Sequence, residues 1–211
     1  MTDFKPAAAD VQRLRQETGA GMMDCKKALS ETQGDFEAAK DLLRKQGLAG
    51  VEKRASRTAS EGGVFVYIHQ LDPDLPPKVG VLIELNCETD FVAKTPEFKE
   101  LGRNIALHIA AMEPRWASRS DVPEDHLDRE KKILMESKAV EGKPAEVVEK
   151  IVEGKLNSIF SDKGGVLVDQ IYVRDEAGKQ TVGDLVTDYA AQVKENIVVR
   201  RFSRFRVGEN D

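Results

Sequence analysis

Two cysteines, three histidines and 37 carboxylates are the groups from which this chain could build a reactive centre. Cys25 and Cys87 stand far apart, in neither a CxxC pair nor a zinc-ligand spacing, and read as two reduced thiols. Cys25 has no identifiable base to make it a nucleophile. His69, His108 and His126 fall singly in a strand-like, an amphipathic and a charged stretch, so no HxxxH or HExxH pair offers two imidazoles to a metal. Gly154-Lys155 and Gly178-Lys179 lack the upstream glycine of GxxxxGK[ST], which leaves no loop of amides to cradle a phosphate. So many carboxylates form chance pairs, and none can be singled out as acid and base. The residues therefore point away from an enzyme and give no catalytic, metal or cofactor site.

Two stretches keep functional interest. In "ELNCETDFVAKTPEF" (84 to 98) a bulky Phe91 sits beside Asp90 in a short connection where small polar residues are expected. Either Phe91 staples the following helix to the core, or it is displayed between rigid supports for another molecule. In "NIVVRRFSRFRV" (196 to 207), Arg200, Arg201, Arg204 and Arg206 alternate with Phe202 and Phe205. That pattern suits stacking and phosphate contact on RNA, although the glycines of an RNP1 motif are missing. The competing reading sends both Phe side chains into the core and turns the arginines toward acidic helices.

The elements that must position these stretches follow from periodicity and capping. Residues 1 to 50 read as three short helices with glycine stops. They carry Val11 and Leu14, then Cys25, Ala28 and Leu29, then Phe36, Ala39, Leu42 and Leu43 behind an Asp35 N-cap, with Gly47 as the final stop. Residues 51 to 61 lack apolar periodicity and read as a linker or frayed helix. β-branched and aromatic runs near 62 to 71, 78 to 87 and 196 to 207 predict strands, the first two joined as a hairpin by "DPDLPP". Thr95-Pro96 opens a helix whose apolar face runs Phe98, Leu101, Ile105, Ile109 and Met112. Two helices are expected within 121 to 161, with Trp116 as a packing anchor before them, and another at 182 to 193. The predicted fold is α+β: a three-helix bundle, then a core over 62 to 211 with a small antiparallel sheet covered by helices.

At 211 residues the chain has room for one large domain or two smaller ones. Its 33% charged and 40% hydrophobic residues mark a globular protein, and a net charge of -5 argues against nucleic-acid wrapping as the main task. Neither a secretory signal nor an apolar run of about 20 residues is visible, so a cytoplasmic protein without a membrane partner is expected.

"RLRQETGAGMMDCKKALSETQGDFEAAKDLLRKQG" (13 to 47), "ELNCETDFVAK" (84 to 94) and the ending "RFRVGE" (204 to 209) together resemble the bacterial elongation factor Ts family in its compact form. The resemblance spans nearly the whole chain, with its segments in the same order. It implies a guanine-nucleotide exchange factor in translation elongation. Such a factor binds elongation factor Tu, GDP-bound and nucleotide-free, displaces its Mg2+ and promotes GDP release so that GTP can load.

By the same resemblance the bundle is ubiquitin-associated-like and docks on the GTPase domain, with Met22, Met23, Lys26 and Lys27 as candidate docking residues. Thr89, Asp90, Phe91 and Val92 match the segment that dislocates the Mg2+ site: the Phe wedges in and the Asp makes polar contacts. Longer family members carry two related core subdomains and an inserted helical hairpin, whereas here one hairpin-plus-helix unit is evident. Compact relatives can act as homodimers, so a homodimer is a further expected partner. The alternative kept beside this reading is an RNA-binding translation accessory protein that uses the Arg/Phe strand.

Overall fold

The computed structural model describes residues 4 to 70 and 72 to 209. Leu71, the expected end of the first strand, lies outside the described residues, as do residues 1 to 3 of the expected bundle and 210 to 211 of the expected core. Helices α1 (Ala8–Thr18), α2 (Met22–Glu31) and α3 (Phe36–Arg54) form the bundle around Val11, Leu14, Cys25, Ala28, Leu29, Ala39 and Leu43. α1 stops at Gly19, whose φ of 67° allows its N–H to donate to the Arg15 carbonyl at 2.8 Å. Asp35 caps α3 by accepting from the Ala38 N–H at 3.0 Å.

Gly47 does not end α3, contrary to the sequence expectation. It is absent from the glycines with positive φ, and the helix continues through it to Arg54, so the first residues of the expected linker are its last turn. The reason is tertiary. At Gly47 the helix crosses a later one, and a Cβ built there would lie 3.2 Å from the Cβ of Ala191. The small residue serves close approach rather than termination.

Strands β1 (Glu61–His69), β2 (Val79–Cys87) and β3 (Val198–Arg206) make a three-stranded sheet in that order, antiparallel throughout. Alternation along β2 buries Val81, Ile83, Leu85 and Cys87. This face is covered by α5 (Pro96–Met112), through Phe98, Leu101, Ile105 and Ile109, and by α8 (Val182–Val193), through Val182, Tyr189 and Ala190. The α+β architecture read from the sequence is the one observed. The opposite face is uncovered and apolar: Val64, Val66 and Ile68 of β1, Leu82 of β2 and Phe205 of β3 are all exposed.

Phe205 corrects the expectation that both Phe side chains of β3 enter the core. Phe202 packs against it, but Phe205 is 71% exposed. Three residues apart on a strand of period two, they must point to opposite faces. Helices α6 (Glu124–Met135) and α7 (Ala145–Ser161) form a third cluster with Val122, Leu134, Val152, Leu156, Phe160 and Val166, against which Trp116 packs.

Candidate functional site

Where an open connection was expected, residues Asp90–Ala93 form one helical turn, α4. Four residues are too few to hold a helix by their own hydrogen bonds. Both ends are therefore fixed from outside. At the start, the Thr89 hydroxyl accepts from the Val92 N–H at 3.4 Å. At the end, Thr95 donates its hydroxyl to the Val92 carbonyl at 2.8 Å, accepts from the Phe98 N–H at 3.2 Å, and lies 3.1 Å from the Tyr189 hydroxyl. Thr95 is thus the last clamp of α4 and the first cap of α5.

The strongest hold comes from a residue that sequence reasoning missed. Glu195, in the connection between α8 and β3, accepts through Oε2 from the N–H groups of Glu88 and Thr89, each at 3.0 Å. Its Oε1 accepts from the Thr89 hydroxyl at 2.6 Å. Hydrogen bonds to an ionised carboxylate are shorter and stronger than neutral ones, so this carboxylate sets where the turn begins. Glu88 and Asn196 complete the joint: Glu88 Oε1 accepts from the Asn196 N–H at 2.7 Å, and Asn196 donates its amide to the Ala55 and Arg57 carbonyls. No spacing rule in a single sequence links positions this far apart.

The turn sorts its side chains. Val92 and Ala93 pack on the sheet core, while Phe91 is 79% exposed. Phe91 therefore does not staple α5 to the core; Val92 takes that place, because one step along a helical turn rotates a side chain by about 100°. Asp90 pairs with the ammonium of Lys94, one turn on. The hydrogen bond from Lys94 holds the Asp90 carboxyl below the usual aspartate range, with desolvation opposing. The site thus presents one bare aromatic ring flanked by a charge pair on a rigid footing.

The expected docking residues lie elsewhere, on α2 of the bundle. Met23 is 71% exposed, Met22 less so, and Lys26 and Lys27 face solvent, with Lys27 3.8 Å from Glu31. Bundle and core meet where Lys194, just past α8, donates to Asp24 of α2 at 2.7 Å. A cleft of about 540 Å³ opens beside that contact, but it is lined by both signs of charge, among them Asp24, Lys40, Arg44, Arg54 and Asp188. None of the eight expected partner-binding residues lines it.

The Arg/Phe strand does not form a free cationic row. Arg201 donates to Glu84 at 2.7 Å, and Arg206 to Glu113 at 2.9 Å. Arg204 is inserted between Glu113 and Glu209 with its side chain 8% exposed. The competing sequence reading expected acidic helices here; the acids instead lie on β2, at the end of α5 and after β3, and they pair three of the four arginines, while Arg200 stays exposed. His108 is fully buried: its Nε2 donates to the Gln170 side-chain oxygen at 3.0 Å and its Nδ1 accepts from the Val173 N–H at 3.1 Å. Burial lowers its pKa, as befits a neutral interior imidazole. Among the described residues no group of three or more His, Cys, Asp or Glu could hold a metal ion, and no helix is long and apolar enough to cross a membrane.

Comparison with known proteins gives concordant matches. The family model described as "Elongation factor TS" matches residues 23 to 209. The chain is 50% identical to Elongation factor Ts of Fervidobacterium nodosum over 203 residues, which cover 96% of this chain and 98% of that protein. It is 51% identical to the protein of that name from Coprothermobacter proteolyticus over 203 residues, again 96% and 98% of the two chains. Against Elongation factor Ts of Thermosipho melanesiensis the identity is 50% over 199 residues, 94% of this chain and 97% of the relative.

Proposed function

The chain belongs to the elongation factor Ts family of translation elongation factors, and from that membership we propose that it is the guanine-nucleotide exchange factor of elongation factor Tu. It binds the GDP-loaded GTPase, displaces Mg2+ and releases GDP so that GTP can load. It does this by binding alone and catalyses no bond change of its own. The observation that carries the reading is Phe91, a bare aromatic side chain on a turn that its own chain clamps at both ends.

Magnitudes limit what the wedge does by itself. An exchange factor must bind the empty GTPase more tightly than the loaded one, and linkage makes nucleotide weaken factor binding by the same ratio. Burying one Phe supplies about 1.5 to 3 kcal/mol, which is a coupling on the order of 10- to 100-fold. Release of a tightly held nucleotide needs more. Loss of Mg2+ from the β-phosphate, whose coordination is stringent, adds to it. Docking by Met22, Met23, Lys26 and Lys27 keeps the wedge engaged, and Asp90 supplies polar contact once it exchanges Lys94 for the partner.

The experiment is release of labelled GDP from elongation factor Tu by Phe91→Ala. A much slower release with an unchanged fold supports exchange by the wedge; an unchanged rate rejects it. The factor would act in the cytoplasm, where elongation takes place. A homodimer fits the uncovered sheet face, where Val64, Val66, Ile68, Leu82 and Phe205 are neighbouring exposed apolar side chains that a second copy could cover. Light scattering of the wild type beside Val66→Lys distinguishes a dimer from a monomer.

A further inference from the structure

We propose that Glu195 is a positioning residue for exchange: it aims Phe91 without touching the partner. The proposal rests on the wedge reading above and adds the part of the chain that makes the wedge stiff. Phe91 makes no core contact that could orient it, so its direction is inherited from the backbone of α4. That backbone starts at Thr89, where one carboxylate takes two N–H groups and a hydroxyl. The Thr89 hydroxyl hydrogen is committed to Glu195, which leaves the oxygen's lone pairs for the Val92 N–H. The carboxylate thereby fixes both the entry of the chain into the turn and the polarity of its cap.

The opposite end is better supported without Glu195. Thr95, whose hydroxyl lies 3.1 Å from that of Tyr189, ties the Val92 carbonyl to the core, and Val92 and Ala93 pack there. Loss of Glu195 therefore frees the first half of the turn, which is the half that carries Asp90 and Phe91, while the sheet and α5 stay in place. A loosened wedge still lets the bundle dock. The step it slows is release of nucleotide from the assembled complex, because a reacting group misplaced by about 1 Å can cost orders of magnitude in rate.

The test measures GDP release from the partner GTPase, loaded with a fluorescent GDP analogue, over a range of factor concentrations. Glu195→Ala is expected to lower the maximal rate by at least about tenfold and to move the half-saturating concentration by less than about threefold. Glu195→Gln keeps one oxygen for the two N–H groups and offers an amide to Thr89, so it recovers most of the rate. In a Phe91→Ala background, Glu195→Ala should cost almost nothing more, because both act through one side chain. If Glu195→Ala does not fold by circular dichroism, Glu195→Asp, which withdraws the carboxylate by one methylene, is read the same way. A full rate for the folded variant, a loss confined to half-saturation, or additive losses in the double variant would overturn the positioning role. Wild-type release by Phe91→Ala alone is a separate result: it removes the wedge reading itself, and the positioning role with it.

Discussion

Glu88 and Glu195 tie their two segments together, each through its carboxylate and a backbone N–H of the other segment. The Glu195 carboxylate accepts from the Glu88 N–H at 3.0 Å, and the Glu88 carboxylate accepts from the N–H of Asn196, the next residue after Glu195, at 2.7 Å. The exchange ties the exit of β2 to the entry of β3. Arg57, 3.4 Å from Glu88, brings the segment after α3 to the same joint.

Glu88→Ala should therefore lower stability by about 1 to 3 kcal/mol, the usual cost of leaving a largely buried N–H without its acceptor. Urea unfolding gives the value. Glu88→Gln, which retains an oxygen for Asn196, should recover at least half of the loss; equal losses for both variants would mean that charge toward Arg57, not the backbone bond, dominates.

Reversing charge at Lys26 and Lys27 together (Lys→Glu at both) should weaken binding to the partner GTPase by about tenfold or more, mostly through slower association at low salt. Both side chains are exposed, and the single ion pair there is loose at 3.8 Å, so the melting temperature should barely change. Surface plasmon resonance at two ionic strengths reads both effects. Unchanged affinity would make these lysines an ordinary solvated face.

His108 predicts a pH dependence of stability. Its pKa is depressed in the fold, chiefly by burial, with the Gln170 hydrogen bond opposing. The unfolded chain, with an imidazole pKa of about 6.5, then binds a proton more readily than the folded one. Stability from this group is complete above about pH 6.5 and is lost as pH falls from there through the folded value. The slope for one group is at most about 1.4 kcal/mol per pH unit. Urea midpoints at pH 7.5 and 5.5 should fall more for the wild type than for His108→Asn, which lacks the imidazole; parallel falls would contradict this.

Both thiols should resist labelling in the native protein. Burial first, and the Glu195 charge second, raise the Cys87 pKa to about 11, and its Sγ donates to the Thr89 carbonyl at 3.1 Å. Burial also raises Cys25. Thiolate is the reactive form, so a chromogenic disulfide reagent at pH 8 should react slowly with native protein and at once with two thiols in denaturant. Rapid native reaction at Cys87 would show that the joint at Thr89 opens readily.

The elements legible in the sequence are those whose causes are local. Asp35 and Thr95 cap the helices they precede, because a cap needs only an oxygen and the N–H three residues on. The β-branched run at 78 to 87 marked β2, whose Val81, Ile83, Leu85 and Cys87 are buried. A bulky side chain in a short connection drew attention to Phe91 beside Asp90, and the family resemblance gave the pair a role. What the tertiary structure decided depends on partners far along the chain. Gly47 reads as a stop until Ala191 arrives beside it, and Arg204 reads as a surface charge until Glu113 and Glu209 enclose it. Phe91 reads as either a staple or a displayed residue until Val92 is seen to fill the staple's place, and Glu195 has no reading at all until the fold delivers it to Thr89. Caps and strand propensity are short-range, fixed by a few torsions and side-chain shapes; which side chain is left bare, and what stiffens it, depends on which surfaces meet when α8 enters the core and β3 joins the sheet.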